Sequence, residues 1–268
     1  MPTATNDLMT DGVHLAPERD LHVLRFTRPD ALNTLTLPVI RALDNALGDV
    51  EQQSTRCLLI TADGANFMAG GDLTYLHTAG DRAPDEARIV IDALNSAMRR
   101  LVQLPCPTVI AVQGAVAGAG LSLTLACDVA IGADTTRFVF AYDKIAATPD
   151  GGLTWTLPRA VGMRHAVQIA LSGRPMDAAR AEMLGLLGEV VPAHELENRA
   201  EALATRLATG PRHAYAATRK LMYEGQTRCF SEQLDAERDS FCQMAETNDF
   251  RDAVTAFFAR RTRKDRTK

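Results

Sequence analysis

An α/β body followed by an all-helical last section is the architecture this sequence predicts, on three observations. Short β-branched apolar runs, such as Cys57–Thr61 and Thr108–Val112, alternate with longer stretches of helical period. Past residues 190–200 only helical period remains. Between the two best strands and the helices that follow them, the chain passes through steps of glycine and other small residues. With 268 residues, 46% of them hydrophobic, one large core and a small appendage are possible. The expected division is a disordered tail over 1–10, a core over 11–195 and a helical region over 196–268.

Taken in order, Val13–Leu15 and Leu21–Phe26 flank Pro17-Glu18-Arg19-Asp20 and read as a hairpin. Arg28 to Asn33 reads as a loop. Val39, Ile40, Leu43, Leu47 and Val50 share one helical face, which predicts an inward-packed helix over 38–53. Cys57–Thr61 is a buried strand, and a loop then leads to a helix starting near Asp72. Asp81–Pro84 is a polar break, expected to be mobile. Val90, Leu94, Met98 and Leu101 mark an amphipathic helix over 86–104, ended by Pro105 and Pro107. Asp128–Ala133 and Arg137–Phe140 read as strands, and Pro149-Asp150-Gly151-Gly152 as a turn. From Leu153 the chain reads as almost all helix, over 153–161, 163–171, 177–185, 193–209, 211–224, 231–246 and 248–261.

The stretch from Thr108 to Leu123 is the centre of this order. It begins as a strand, passes Gly114, Gly118 and Gly120, and restarts as a short apolar helix over Leu121–Cys127. A helix that starts at such a break has backbone N–H groups without intrahelical partners. With the positive end of the helix dipole, they can hold an anion or a developing negative charge. Gly118 and Gly120, lacking Cβ atoms, let a ligand approach the backbone. An oxyanion hole and a tight turn in a dense core both fit this stretch. A dinucleotide loop fits poorly, because the spacing stands mid-chain and no Tyr-x-x-x-Lys pair follows. Gln113, Ser122, Thr124 and Asp128 argue against a membrane helix. Phe67 to Leu73 repeats the logic with Ala69-Gly70-Gly71-Asp72, so two turns on neighbouring strands could aim two N–H groups at one point.

Bulk properties narrow the partners. A net charge of −4 gives no reason to expect nucleic acid or an acidic membrane. The first seven residues show neither a basic nor an apolar segment of a secretory leader. Five cysteines without C-x-x-C spacing fit reduced thiols in a cytoplasm. The six scattered histidines give no metal-ligand spacing. The end from Arg260 to Lys268 has six basic residues against one acid, and reads as a solvated terminus or as a site for phosphates.

Four places resemble the crotonase superfamily, also called the enoyl-CoA hydratase/isomerase family. Arg28-Pro29 with Asn33 is similar to its early CoA-binding loop. Phe67-Met68-Ala69-Gly70-Gly71-Asp72-Leu73 is similar to its first oxyanion segment, and Gln113-Gly114 through Cys127-Asp128 to its second. Pro149-Asp150-Gly151-Gly152, Leu157 to Gly162 and Ser172-Gly173-Arg174 are similar to its third, and Asp252 to Phe257 matches as well. The resemblance runs over residues 12–262 in register. It implies a crotonase spiral of ββα units with a helical C-terminal oligomerisation region, a homotrimer or hexamer, and an acyl-CoA thioester as substrate. It implies no separate cofactor, because coenzyme A is part of the substrate. Carried onto this chain, the oxyanion donors belong to Gly71 and Ala119. Ala31, Ala69, Asp72, Leu73, Ser122, Tyr142, Phe257 and Arg260 fall at positions that contact substrate or CoA.

The departures from the hydratase pattern are informative. Where hydratases of the family carry two glutamates, this chain has Ser122 and Tyr142. Neither hydroxyl is a good base near neutral pH. Ser122 reads as a helix serine bonded to its own backbone, and Tyr142 as a wall of the acyl pocket. Asp150, by itself, suits both turn chemistry and catalysis. The resemblance favours catalysis, since isomerases of the superfamily carry an acid there that moves a proton between carbons. The expectation is therefore a cytoplasmic acyl-CoA isomerase with Asp150 as its single base. A hydratase, or a non-catalytic CoA- or RNA-binding relative, is the alternative.

Overall fold

A computed structural model describes residues 8–18 and 20–265. Three antiparallel strands open it: β1 (Leu8–Thr10), β2 (Val13–Glu18) and β3 (Leu21–Phe26). Residues 8–10, expected in a loose tail, instead pair with β2 from Leu8↔Leu15 to Thr10↔Val13. Helix α1 (Leu37–Gln52) then crosses to β4 (Cys57–Ala62), which runs parallel to β3. Helices α2 (Leu73–Ala79) and α3 (Ala83–Gln103) lead to β5 (Thr108–Val112), parallel to β4. The expected mobile break at Asp81–Pro84 is taken up by a 3-10 turn over Gly80–Arg82 and the first turn of α3.

Next come β6 (Ala115–Ala117), α4 (Ala119–Ala126), β7 (Val129–Ala133) and β8 (Arg137–Val139). Then follow α5 (Leu153–Val161), α6 (Met163–Ser172), β9 (Met176–Asp177), α7 (Ala178–Leu184), β10 (Glu189–Val191) and α8 (Leu196–Ala208). Two sheets result, with strand orders β1-β2-β3-β4-β5-β7-β10 and β6-β8-β9. β9 and β10 interrupt the region expected to be all helix past Leu153. β10 pairs parallel with β7 and forms the edge of the large sheet.

Both faces of the large sheet are covered, which is why β4 and β5 are buried along their whole length. Alternate residues serve opposite sides. Leu58, Ile60, Ile110 and Val112 pack in one core with Val39, Ile40, Leu43 and Leu47 of α1. Cys57, Leu59, Val109 and Ala111 pack in a second core with Ala200, Leu203 and Ala204 of α8. Helix α8 thus completes the sheet, and the first compact unit runs to Ala208 rather than ending at residue 195.

The second unit, Thr209–Lys268, contains α9 (Arg212–Gly225), α10 (Phe230–Ala245) and α11 (Asn248–Asp265). Neither α9 nor α10 buries a side chain. Phe230, Phe241 and Phe257 are exposed. Among the described residues no helix is long and apolar enough to cross a membrane.

Candidate active site

The loop after β4 is held by Asn33, a buried side chain. Its Nδ2 donates to the carbonyls of Asp63 (3.0 Å) and Asn66 (3.2 Å), and its Oδ1 accepts from the Arg28 N–H (2.9 Å). The loop then lies alongside β6: Met68 N donates to Ala115 O (3.1 Å) and Ala117 N to Met68 O (2.9 Å). The two strand-to-helix steps seen in the sequence therefore stand side by side. A methyl group on Gly118 would lie 3.5 Å from the Gly70 α-carbon, and Gly118 has φ +51° and ψ −120°, a conformation closed to L side chains. Gly120 plays a different part from the one expected. Its missing Cβ makes room for the Met68 side chain, 3.0 Å from where that carbon would be, rather than for a ligand.

Around these turns most N–H groups are spent. Ala69 donates to Leu32 O, Asp72 to Leu35 O and Gly118 to Val139 O. The N–H groups of Gly71 and Ala119 have no protein acceptor among the described residues, and both residues line one cavity of about 610 Å³. Ala119 is the first residue of α4, so its N–H also lies at the positive end of a buried helix. Two unspent donors at a concave, largely apolar surface suit an oxygen on which negative charge develops.

The same cavity is lined by Ala69, Asp72, Leu73, Tyr142 and Asp150, and by apolar side chains of Leu37, Leu76, Val90 and Ile91. Asp72 is committed elsewhere: its carboxylate caps α2, accepting from the N–H groups of Thr74 (3.0 Å) and Tyr75 (3.3 Å). Asp128 accepts from Thr108 N (2.8 Å) at the start of β5. Asp150 is half-buried. Tyr142 Oη donates to its Oδ1 at 2.8 Å. Burial pushes the Asp150 carboxyl above the usual carboxylate range, while the Tyr142 hydrogen bond and a backbone one oppose the rise. Burial and the Asp150 charge push the Tyr142 phenol well above its ordinary value.

Ser122 is not bonded to its own helix. Its Oγ donates to the Asp150 backbone carbonyl at 3.0 Å, and Ser122, expected to contact substrate, is buried and does not line the cavity. Tyr142 lines the cavity as expected, and its bond to Asp150 adds a role that sequence reasoning missed. Ala31 ends a 3-10 turn over Pro29–Ala31 and does not line the cavity, although its neighbour Leu32 accepts from the lining residue Ala69 at 3.0 Å. Phe257 lies in the second unit, and the Arg260 side chain lies outside the described residues.

Comparison with known proteins gives a consistent picture. The family model described as Enoyl-CoA hydratase/isomerase matches residues 18–265. A 1,2-epoxyphenylacetyl-CoA isomerase of Escherichia coli is 36% identical over 247 residues, covering 91% of this chain and 94% of the relative. A trans-2-decenoyl-[acyl-carrier-protein] isomerase of Streptococcus mutans is 30% identical, covering 89% and 91%. The crystal structure of an enoyl-CoA hydratase from Polaromonas superposes with a TM-score of 0.88 at 30% identity, covering 92% of this chain and 97% of that one.

Proposed function

Because the chain belongs to the enoyl-CoA hydratase/isomerase family, we propose that it is an acyl-CoA isomerase whose single base is Asp150. The thioester oxygen accepts hydrogen bonds from Gly71 N–H and Ala119 N–H. Asp150 removes a proton from a substrate carbon, and the electrons pass into the dienolate, whose oxygen those two donors stabilise. The protonated carboxyl then returns the proton to another carbon of the conjugated system. One carboxyl suffices, because it takes up and gives back the same proton on one face of the dienolate. The redox state of the substrate is unchanged, so the reaction calls on no cofactor beyond the CoA that the substrate carries.

The observation that carries this reading is the fate of the cavity's carboxylates. Asp150 shares the cavity with the unspent donors and has a raised affinity for protons, while Asp72 is consumed as a helix cap. Hydration needs a placed water and a second strong proton carrier. Ser122 and Tyr142, at the places where hydratases of the family carry glutamates, offer only hydroxyls.

The test is to incubate the protein with a 3-enoyl-CoA and, separately, with a 2-enoyl-CoA, and to follow double-bond position and water addition by chromatography. Isomerisation of the former that outpaces hydration of the latter supports the reading. Hydration as the faster reaction would make the protein a hydratase. Failure of both would favour a CoA- or RNA-binding role.

For the CoA part of the substrate, the proposed contacts are Ala31 and, contributed by a neighbouring subunit, Phe257 and Arg260, the arginine pairing with phosphate. The exposed Phe230, Phe241 and Phe257 support a trimer or hexamer with apolar side chains buried between subunits. Light scattering at micromolar concentration tests that assembly.

A further inference from the structure

The reading above assigns Asp150 a task but leaves Ser122 and Tyr142 without one. We propose that Tyr142 is a positioning residue that holds Asp150 by Oδ1 and so makes Oδ2 the oxygen that carries the proton, with Ser122 fixing the backbone beneath. The proposal rests on Asp150 being the base.

Four observations converge on it. The first is the bond itself, Tyr142 Oη to Asp150 Oδ1 at 2.8 Å. Among the described residues Tyr142 is the one side chain that donates to this carboxylate, beside the Asp150 backbone itself, so Oδ1 is tied to a side chain and Oδ2 is tied to none. Secondly, Tyr142 is held in a strained frame. The 3-10 turn over Tyr142–Ile145 is bounded by Ala141 at φ +60° and Ala146 at φ +53°, two left-handed alanines. Such residues are strained and persist where surrounding structure imposes them. What imposes them here is a clamp on the Tyr142 backbone, its N–H bonded to Phe140 O (2.8 Å) and its carbonyl to Ala147 N (3.1 Å).

Thirdly, the ring is fixed as well as the backbone. Phe140 meets Tyr142 edge to face at 5.3 Å between centroids. Fourthly, Asp150 is gripped from the other side. Ser122, fully buried, donates to its carbonyl, and this contact needs the glycine that follows. A Cβ on Gly151 would lie 2.9 Å from the Ser122 Cβ, inside the distance carbon atoms tolerate. A side chain and a backbone carbonyl of one residue are thus held by two hydroxyls from separate elements.

The arrangement gives the two hydroxyls complementary effects. The phenol stabilises the ionised carboxylate against its own burial and keeps it available as a base. It cannot replace that base, since its own proton is held far too tightly. The groups that face Asp150 are Tyr142 from the 3-10 turn, Ser122 from α4 and the Asp150 backbone, and no charged side chain is among them. In the proton shift, the substrate C–H bond breaks toward Oδ2 and the pair enters the dienolate. The O–H bond on Oδ2 then breaks toward the second carbon. Oδ1 remains bonded to Tyr142 throughout, so the carboxyl does not rotate between the two transfers.

The test compares Tyr142→Phe with the unaltered protein. The phenyl ring keeps the packing on Phe140 and removes only the hydroxyl. The Asp150 carboxyl carbon is followed through pH by 13C NMR of protein labelled in its aspartates, with Asp150→Asn identifying the signal. The acid limb of kcat/KM on the substrate found above is measured in parallel. The carboxyl titration and the acid limb should both move to higher pH, because a hydrogen bond favouring the ionised form has gone. At neutral pH kcat should fall roughly tenfold to a hundredfold, with KM within about twofold of the unaltered value, as expected for loss of one hydrogen bond to a charged group that acts in the chemical step rather than in binding. An unmoved titration in Tyr142→Phe would overturn the proposal. If instead Asp150→Asn kept full turnover, the base assignment itself would fall, whatever the titration showed.

Discussion

Two parts of the site are built from different material. In one part Gly71 and Ala119 present backbone N–H groups, fixed by neighbouring hydrogen bonds and by the abutting Gly70 and Gly118. In the other part Asp150 and Tyr142 present side chains to the cavity, and Ser122, buried outside its lining, bonds to the Asp150 carbonyl. Backbone donors cannot be exchanged by mutation without reshaping the turn, so that part suits any thioester on which charge builds. Side chains can be exchanged singly, so in the proposed reaction this part directs the proton. On that reading, membership of the family and choice of reaction are written in different parts of the site.

Breaking the backbone part should cost about as much as losing the base itself. Gly118→Val demands a side chain where φ is +51° and Gly70 is in contact, so the Ala119 N–H must move. Loss of one oxyanion donor typically costs about 10²–10³-fold in kcat, and disturbance of both turns should reach the upper end or exceed it. Steady-state turnover, with circular dichroism confirming the fold, measures this. In the other part the effects should be graded. Tyr142→Phe should lose roughly tenfold to a hundredfold, through one charge-assisted bond. Ser122→Ala breaks a neutral bond to a carbonyl and should lose only about threefold to tenfold. Equal losses in the two variants would erase the distinction between holding the carboxylate and holding its backbone.

The smallest effect concerns stability, and its sign is opposite. The folded Asp150 carboxyl binds its proton more tightly than the unfolded chain does, because burial penalises the charge. Stability contributed by this group therefore falls as pH rises from the ordinary carboxylate value through the folded one, and the full cost is present above that window. Asp150→Asn should melt higher than the unaltered protein near pH 8, and the gap should close in acid. Calorimetry across pH checks this. A variant that melts lower at every pH would mean Asp150 serves the fold rather than the chemistry.

Much of this fold could be read in advance, for local reasons. Val39, Ile40, Leu43, Leu47 and Val50 are all buried on α1, because a helix that covers a sheet shows its period in its own sequence. The same holds for the continuous apolar runs of β4 and β5, which carry helices on both faces. What escaped was non-local. β9 spans two residues and β10 three, too few to show a period, and each exists only through its pairing with a distant strand. Ser122 looked like a helix serine because its actual partner stands 28 residues away. Tyr142 and Asp150 are eight residues apart across a turn with two left-handed alanines, a path that no propensity predicts. The two strand-to-helix breaks were legible because such a break announces its free N–H groups locally, whereas the choice of Gly71 and Ala119 within them came from the family resemblance.

The central claim is that Asp150 moves the proton, and one comparison tests it directly: turnover and acyl-CoA binding of Asp150→Asn against the unaltered protein. Asparagine keeps the shape and can still accept from Tyr142, but it cannot take up a proton. The account predicts an affinity for a non-reacting acyl-CoA within about twofold of the original, and a loss of isomerisation of about 10²–10⁴-fold, the usual contribution of a general base. Wild-type turnover by the folded Asp150→Asn protein, with Ser122→Ala inactive, would contradict it and return Asp150 to the role of a turn residue.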